Sequence, residues 1–149
     1  FFNDKEVIKG PTTFEREFPL EEFPVYIREG AIIPMDIKRD YTGLGDKNSE
    51  GYLTLLIYPE NTNEFIVHHP DKSGSTTLLV EDNPEKINIS MSGVHKPHVL
   101  NINISSAPKK VVLDGSVLSD SLNYRFDKDR NKLIIRTDQY STGSYVVYK

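Results

Sequence analysis

The groups in this sequence best suited to chemistry are four histidines and several closely spaced carboxylates. His68 and His69 are adjacent, and neighbours on a strand point to opposite faces, so one ion cannot readily take both. His95 and His98 flank Lys96-Pro97, a turn whose spacing alone specifies no metal. Metal sites need three or four convergent ligands, so exposed or satisfied surface imidazoles are the simpler account. Asp127, Asp129 and Asn131 imitate the first three ligand positions of a calcium loop, with Asp138 at the twelfth. The sixth position is Lys132 where that loop requires Gly, and the flanks read as strands, so an acidic hairpin tip fits better.

Carboxylates pair up at Glu15/Glu17, Glu21/Glu22 and Asp36/Asp40. Cleaving a glycosidic bond takes two carboxyls facing each other ~5–10 Å apart, one of them in a pKa-raising pocket. None of these spacings specifies that geometry, and Glu15 and Glu17 share what reads as a solvated strand face. Neither a nucleophile elbow nor a Gly-rich phosphate loop is present. No catalytic, substrate-binding or metal residue is therefore assigned, and no cofactor is implied. Sugar recognition would use aromatic rings as platforms for pyranose faces. The chain has eight Tyr and no Trp. Tyr41 and Tyr52, which bracket a long loop, are the two tyrosines placed to serve. Tyr26, Tyr58, Tyr124, Tyr145 and Tyr148 read as strand residues packing a core.

The elements that would carry these groups are short strands. Ile87, Ile89 and Met91 alternate with Asn88, Ser90 and Ser92, and Leu100, Ile102 and Ile104 alternate with Asn101, Asn103 and Ser105. Period two with one polar face marks a half-buried antiparallel strand. Leu53–Tyr58 is apolar on both faces and reads as a central strand. Further strands are expected at Phe14–Phe18, Val25–Arg28, Ala31–Pro34, Phe65–His68, Thr76–Glu81, Lys110–Asp114, Asn123–Asp127, Lys132–Thr137 and Tyr145–Tyr148. No window keeps helical periodicity over three turns. The expectation is an all-β fold, an antiparallel β-sandwich.

Turn chemistry agrees: Ser92-Gly93 and Asp114-Gly115 close strands. The nine prolines fall at strand ends or in connections, where a missing N–H is tolerated. Residues 35 to 51 read as a long surface loop, and a boundary is expected near residue 62.

At 149 residues with 37% apolar content, the chain can fill a core. Its net charge of −4 argues against nucleic-acid and membrane partners. With no cysteine it has no disulfide framework and no thiolate chemistry, which leaves its compartment open. No apolar run approaches the ~20 residues of a spanning helix. It opens on Phe1-Phe2-Asn3-Asp4 without Met, as an excised piece would.

The stretch Phe18-Pro19-Leu20 through Pro24-Val25-Tyr26-Ile27-Arg28-Glu29-Gly30-Ala31-Ile32-Ile33-Pro34-Met35 resembles the sequence that follows the catalytic barrel in glycoside hydrolase family 31, the α-glucosidase and α-xylosidase family. The family core Pro-Val/Leu-Phe/Tyr-Val/Ile-Arg-x-Gly-x-Ile-Ile-Pro is matched at Pro24, Val25, Tyr26, Ile27, Arg28, Gly30, Ile32, Ile33 and Pro34. Phe1 to Gly10 looks like the strand leaving the barrel, and Leu53–Pro59 like the next family strand. The family's aromatic-acidic turn corresponds loosely, through Asp71 and Gly74.

The resemblance implies two small packed sandwiches, a proximal one at 1–62 and a distal one at 63–149. It implies a non-catalytic module whose partner is the (β/α)₈ barrel of its own parent chain. A barrel takes at least ~200 residues, so the family's catalytic aspartates have no counterpart here. The parent would be a retaining α-glycosidase, while this chain alone would be no enzyme. The alternative, from a different class, is a carbohydrate-binding sandwich that recruits glycan. Arg28, set among apolar residues, is expected to be structural and paired with a buried carboxylate.

Overall fold

The computed structural model describes residues 7–21, 25–36, 52–136 and 143–149. Among them are eleven strands and no helix: β1 (Ile32–Asp36), β2 (Leu53–Ile57), β3 (Thr62–His68), β4 (Ser75–Asp82), β5 (Lys86–Gly93), β6 (His98–Asn103), β7 (Lys110–Leu113), β8 (Ser116–Val117), β9 (Tyr124–Asp127), β10 (Lys132–Arg136) and β11 (Ser144–Tyr148). They form a five-stranded sheet, β1-β2-β6-β10-β9, and a six-stranded sheet, β3-β4-β5-β11-β7-β8. Neighbours are antiparallel except β2 and β6, which run parallel in the register Leu53↔His98 to Ile57↔Ile102.

The alternation seen in the sequence is what closes the sandwich. Thr76, Leu78 and Val80 of β4, Ile87, Ile89 and Met91 of β5, and Tyr145 and Val147 of β11 point into one core. From the five-stranded sheet, Leu55, Ile57, Leu100, Ile102, Leu133 and Ile135 meet them. β2 is central, as its two apolar faces require: Thr54 and Leu56 are as buried as Leu55 and Ile57. Among the described residues the two sheets enclose this one core. The boundary expected at 62/63 falls where the chain crosses from β2 to β3, and strands from either side of it share the five-stranded sheet.

Two expected strands are not formed. Phe14–Phe18 and Val25–Arg28 carry no regular secondary structure, because a strand is stable only with a neighbour to take its backbone hydrogen bonds. Ala31–Pro34 becomes β1, but it pairs with β2 rather than folding back on Val25–Arg28. β8, at two residues, was too short to show a period. At the turn between β7 and β8, Asp114 and Gly115 both have positive φ, as a tight hairpin turn demands. The 35–51 loop expected from the sequence lies mostly outside the described residues.

His98 and Tyr145 tie the two sheets together from inside. His98 is 2% exposed and its Nε2 lies 2.6 Å from the Tyr145 hydroxyl, with the rings edge to face. The Nδ1–H donates to the Lys96 carbonyl at 2.8 Å, so Nε2 is left to accept from the Tyr145 O–H in the neutral imidazole. Burial lowers the His98 pKa, helped by the neighbouring His95.

Protons therefore bind the unfolded chain more readily than the folded one. Stability should fall as pH drops below the ordinary histidine value of ~6.5, by up to about 1.4 kcal/mol per pH unit until the folded form also titrates. Urea melts between neutral and mildly acid pH should show this slope in the native chain and lose it in His98→Gln. A second expectation concerns Gly93, at φ +89, where a Cβ would sit 2.4 Å from the Ser75 carbonyl oxygen. Gly93→Ala should cost about 2 kcal/mol or more, against about 1 kcal/mol for Gly115→Ala, whose φ is positive but whose surroundings are open. Thermal melts of the two variants read the difference.

Candidate functional site

The two buried histidines, His69 and His98, are occupied with structural bonds. His68 is exposed while His69 is buried, as neighbours on opposite strand faces should be. The Thr76 hydroxyl donates to the Val94 carbonyl, so its oxygen accepts the His69 Nε2–H at 2.8 Å. His95 is exposed and His98 is in the core. Sequence reasoning missed this last placement, although extending the Leu100, Ile102 alternation back by two residues marks His98 as inward-facing. No three His, Asp or Glu side chains converge as a metal site would require, among the described residues.

At the β9–β10 hairpin, Asp127 Oδ1 accepts the backbone N–H groups of Asp129 and Arg130 at 3.0 and 3.1 Å. Asn131 takes a positive φ there. The carboxylate thus organises its own turn. Asp138 lies outside the described residues. Asp71 likewise serves a turn, accepting from the Ser73 N–H and hydroxyl and pairing with Lys96. The hydrogen bond from Lys96, with those from Ser73, holds this carboxyl well below the usual range. Glu15, Glu17 and Glu21 are exposed. Glu22 and Asp40 lie outside the described residues.

The aromatic platforms also differ from expectation. The Arg136 guanidinium sits 4.5 Å from the centre of the Tyr52 ring, so one face that a pyranose would need is covered by a cation. Lys132 Nζ stands 4.1 Å from the Tyr58 ring centre in the same way. The register puts both pairs on the outer face of the five-stranded sheet. Lys132 is buried, its ammonium has no hydrogen-bond acceptor, and burial pushes its pKa down to about 8. Tyr41 lies outside the described residues.

The feature with no internal explanation is the apolar surface of residues 7–21 and 25–31. Val7, Phe14, Leu20, Val25 and Tyr26 are exposed, Leu20 fully and Tyr26 at 58%. Phe14 and Tyr26 meet edge to face at 6.0 Å, and Arg16 lies over Phe18. A shallow hollow of about 680 Å³ runs along Val7, Ile8, Lys9, Thr12, Phe14, Glu15 and Arg16. The segment is anchored at its far end. The Gly30 N–H donates to the Tyr58 carbonyl at 2.8 Å, and Asn63 of β3 fills the space a Gly30 Cβ would need. Arg28 is exposed, so the buried carboxylate pair expected for it is not formed. Its guanidinium is in water, where it needs no partner.

No protein-family model matches the sequence, and no curated protein matches it. Solved structures do match the fold. An uncharacterised Listeria monocytogenes protein, in complex with glucose, magnesium and calcium, aligns over 82% of this chain with a TM-score of 0.66 and 19% identity. A cycloalternan-forming enzyme from Listeria monocytogenes, bound to a pentasaccharide substrate, aligns over 82% with a TM-score of 0.65 and 19% identity. A family 31 dextranase from Flavobacterium johnsoniae, complexed with glucose, aligns over 83% with a TM-score of 0.63 and 17% identity. The matched part is 13% of each Listeria chain and 19% of the dextranase. The sandwich seen here is thus a fold that occurs as a small part of large glycan-processing enzymes.

Because Arg28 is solvated, Arg28→Ala should change the stability of this chain by no more than about 0.5 kcal/mol, measurable by urea melts. Lys132→Met should leave stability equal or higher. The ~2 kcal/mol of a desolvated cation–π contact is outweighed by a desolvation cost of several kcal/mol per buried ion, as the lowered pKa indicates.

Proposed function

We propose that this chain is the non-catalytic C-terminal sandwich of a family 31 α-glycosidase, and that residues 7–31 pack it against the catalytic (β/α)₈ barrel of its parent. The observation that carries the reading is a mismatch. Within the stretch that resembles the family, Ile32 enters the core, yet Leu20, Val25 and Tyr26 are large apolar side chains held in water. Interdomain contacts commonly bury ~600–1,500 Å², and such a surface accounts for those side chains. It also accounts for strand-forming segments left without a neighbour. The likeness to small parts of much longer glycan-active chains supports the same reading.

In this role the module acts by rigidity. A closed sandwich offers a fixed surface to the barrel and stabilises it through buried area, while the two carboxylates of the retaining reaction belong to the barrel. Exposure of Glu15, Glu17 and Glu21 fits a chain that performs no hydrolysis itself.

The test is made in the parent protein and in the isolated chain together. The coding sequence upstream should specify a (β/α)₈ barrel. Leu20→Ser combined with Tyr26→Ser should lower the melting temperature of the parent enzyme's catalytic part, yet shift the isolated chain by no more than about 0.5 kcal/mol. The purified chain should hydrolyse no aryl α-glucoside or α-xyloside. Titration calorimetry with α-glucan and xyloglucan oligosaccharides should give no heat of binding. Saturable binding that disappears in Tyr41→Ala or Tyr52→Ala would replace this reading with that of a glycan-recruiting module.

A further inference from the structure

A second surface, the outer edge of β3, has the form of an unfilled strand position. Open sheet edges attract further strands, and proteins guard them with proline, lysine, bulges or shortness. Three of the four sheet edges among the described residues are guarded. β8 has two residues and β9 four. In β1 the Tyr58 N–H donates to the Ala31 carbonyl, so alternation turns the backbone polar groups of Ile32 and Pro34 toward the open edge, and proline offers no N–H there.

β3 has no such guard. It runs for seven residues, Thr62–His68, without proline or lysine. The Asp82 N–H donates to the Asn61 carbonyl and the His69 N–H to the Gly74 carbonyl. In the Thr62↔Glu81 to His68↔Ser75 register, the odd-numbered residues therefore bond β4. Thr62, Glu64, Ile66 and His68 turn their N–H and C=O groups outward, and all four residues are exposed. Ile66 is 45% exposed on the outer face. Phe65, which points to the core side opposite Leu78, is still 37% exposed, as if the core lacked its last layer.

We infer that β3 pairs with β3 of a second copy of this chain, antiparallel about a two-fold axis at Phe65. The strand is complementary to itself in that register. Thr62 then faces His68 and Glu64 faces Ile66, so the four outward residues meet as bonded pairs, each exchanging two hydrogen bonds. No like charges are directly opposed, and Glu64 gains a diagonal histidine. Phe65 meets its own counterpart at the close, non-bonded position, and Asn63 meets Val67. The aromatic pair covers the ring that one copy leaves in water. The two six-stranded sheets become one continuous sheet. A single strand pair buries less than the ~1,200 Å² of a stable standard interface, so the dimer is reversible and concentration-dependent.

The chain contains no cysteine, so one introduced thiol reports the register directly. Phe65→Cys should oxidise to a covalent dimer at least about tenfold faster than Val117→Cys, an exposed position on the edge strand β8, because the interface raises the local thiol concentration. Sedimentation velocity over a concentration series should show a monomer–dimer equilibrium in the native chain. Ile66→Pro removes only an outward N–H and should abolish the dimer while leaving the circular dichroism of the monomer unchanged. If that variant does not fold, Glu64→Pro, at the facing outward position, takes its place. A monomer at every soluble concentration overturns the inference. So does a dimer that survives the proline variant, or a Phe65→Cys rate no greater than that of Val117→Cys, since association would then run through another face such as residues 7–31.

Discussion

The structure depends on where Leu53–Ile57 can be put. A strand apolar on both faces cannot lie at an edge or over solvent, because either would leave large aliphatic side chains in water. It is accommodated by flanking β2 with β1 on one side and β6 on the other. Leu55 and Ile57 then enter the core, while Thr54 and Leu56 are buried on the outer face. Once β6 is fixed beside β2, its own alternation turns Leu100 and Ile102 toward the six-stranded sheet, and His98 with them. The hydrogen bond from Tyr145 to His98 follows, since a polar ring carried into the core by register must find a partner there.

That closed core throws residues 7–31 into relief. Two populations of apolar side chain coexist in this chain: one packed between the sheets to near-complete exclusion of water, the other carried on a segment without strand partners. A domain evolved to stand alone would gain nothing from the second. A module carried by a larger enzyme would, and its polar chemistry would look much as it does here. Its carboxylates cap turns, its histidines satisfy hydroxyls and carbonyls, and its cations cover tyrosine rings.

The parts of the fold governed by local pattern were legible in the sequence. β5 and β6 announce themselves by period two, and β2 by the lack of it. The Asp114-Gly115 and Asp127–Asn131 turns follow from residue chemistry. What could not be read depended on which strands become neighbours. Val25–Arg28 has a strand's composition, but composition cannot supply a hydrogen-bonding partner, and none is provided within the described residues. The same gap accounts for Arg28, whose apolar sequence neighbours suggested burial while its spatial neighbours are water. Tyr52 read as an open platform because nothing in the sequence places Arg136, more than eighty residues later, over its ring. The pairing of β6 with β2 was hidden for a related reason, since sequence order does not reveal which strand returns beside which.

The parallel pairing of β2 with β6 has a consequence for how the chain reaches this state. The two strands are joined by forty residues, 58–97, that must first cross to the other sheet and form β3, β4 and β5. Closing so long a loop costs entropy before any contact rewards it, and topologies dominated by such distant pairings fold in milliseconds to seconds rather than microseconds. During that interval the β3-β4-β5 meander, made of adjacent hairpins, can form by local contacts alone. β2 meanwhile waits with both apolar faces and one backbone edge uncovered. The most hydrophobic strand of the mature fold is therefore its greatest hazard during synthesis, and the window closes only when β6 arrives.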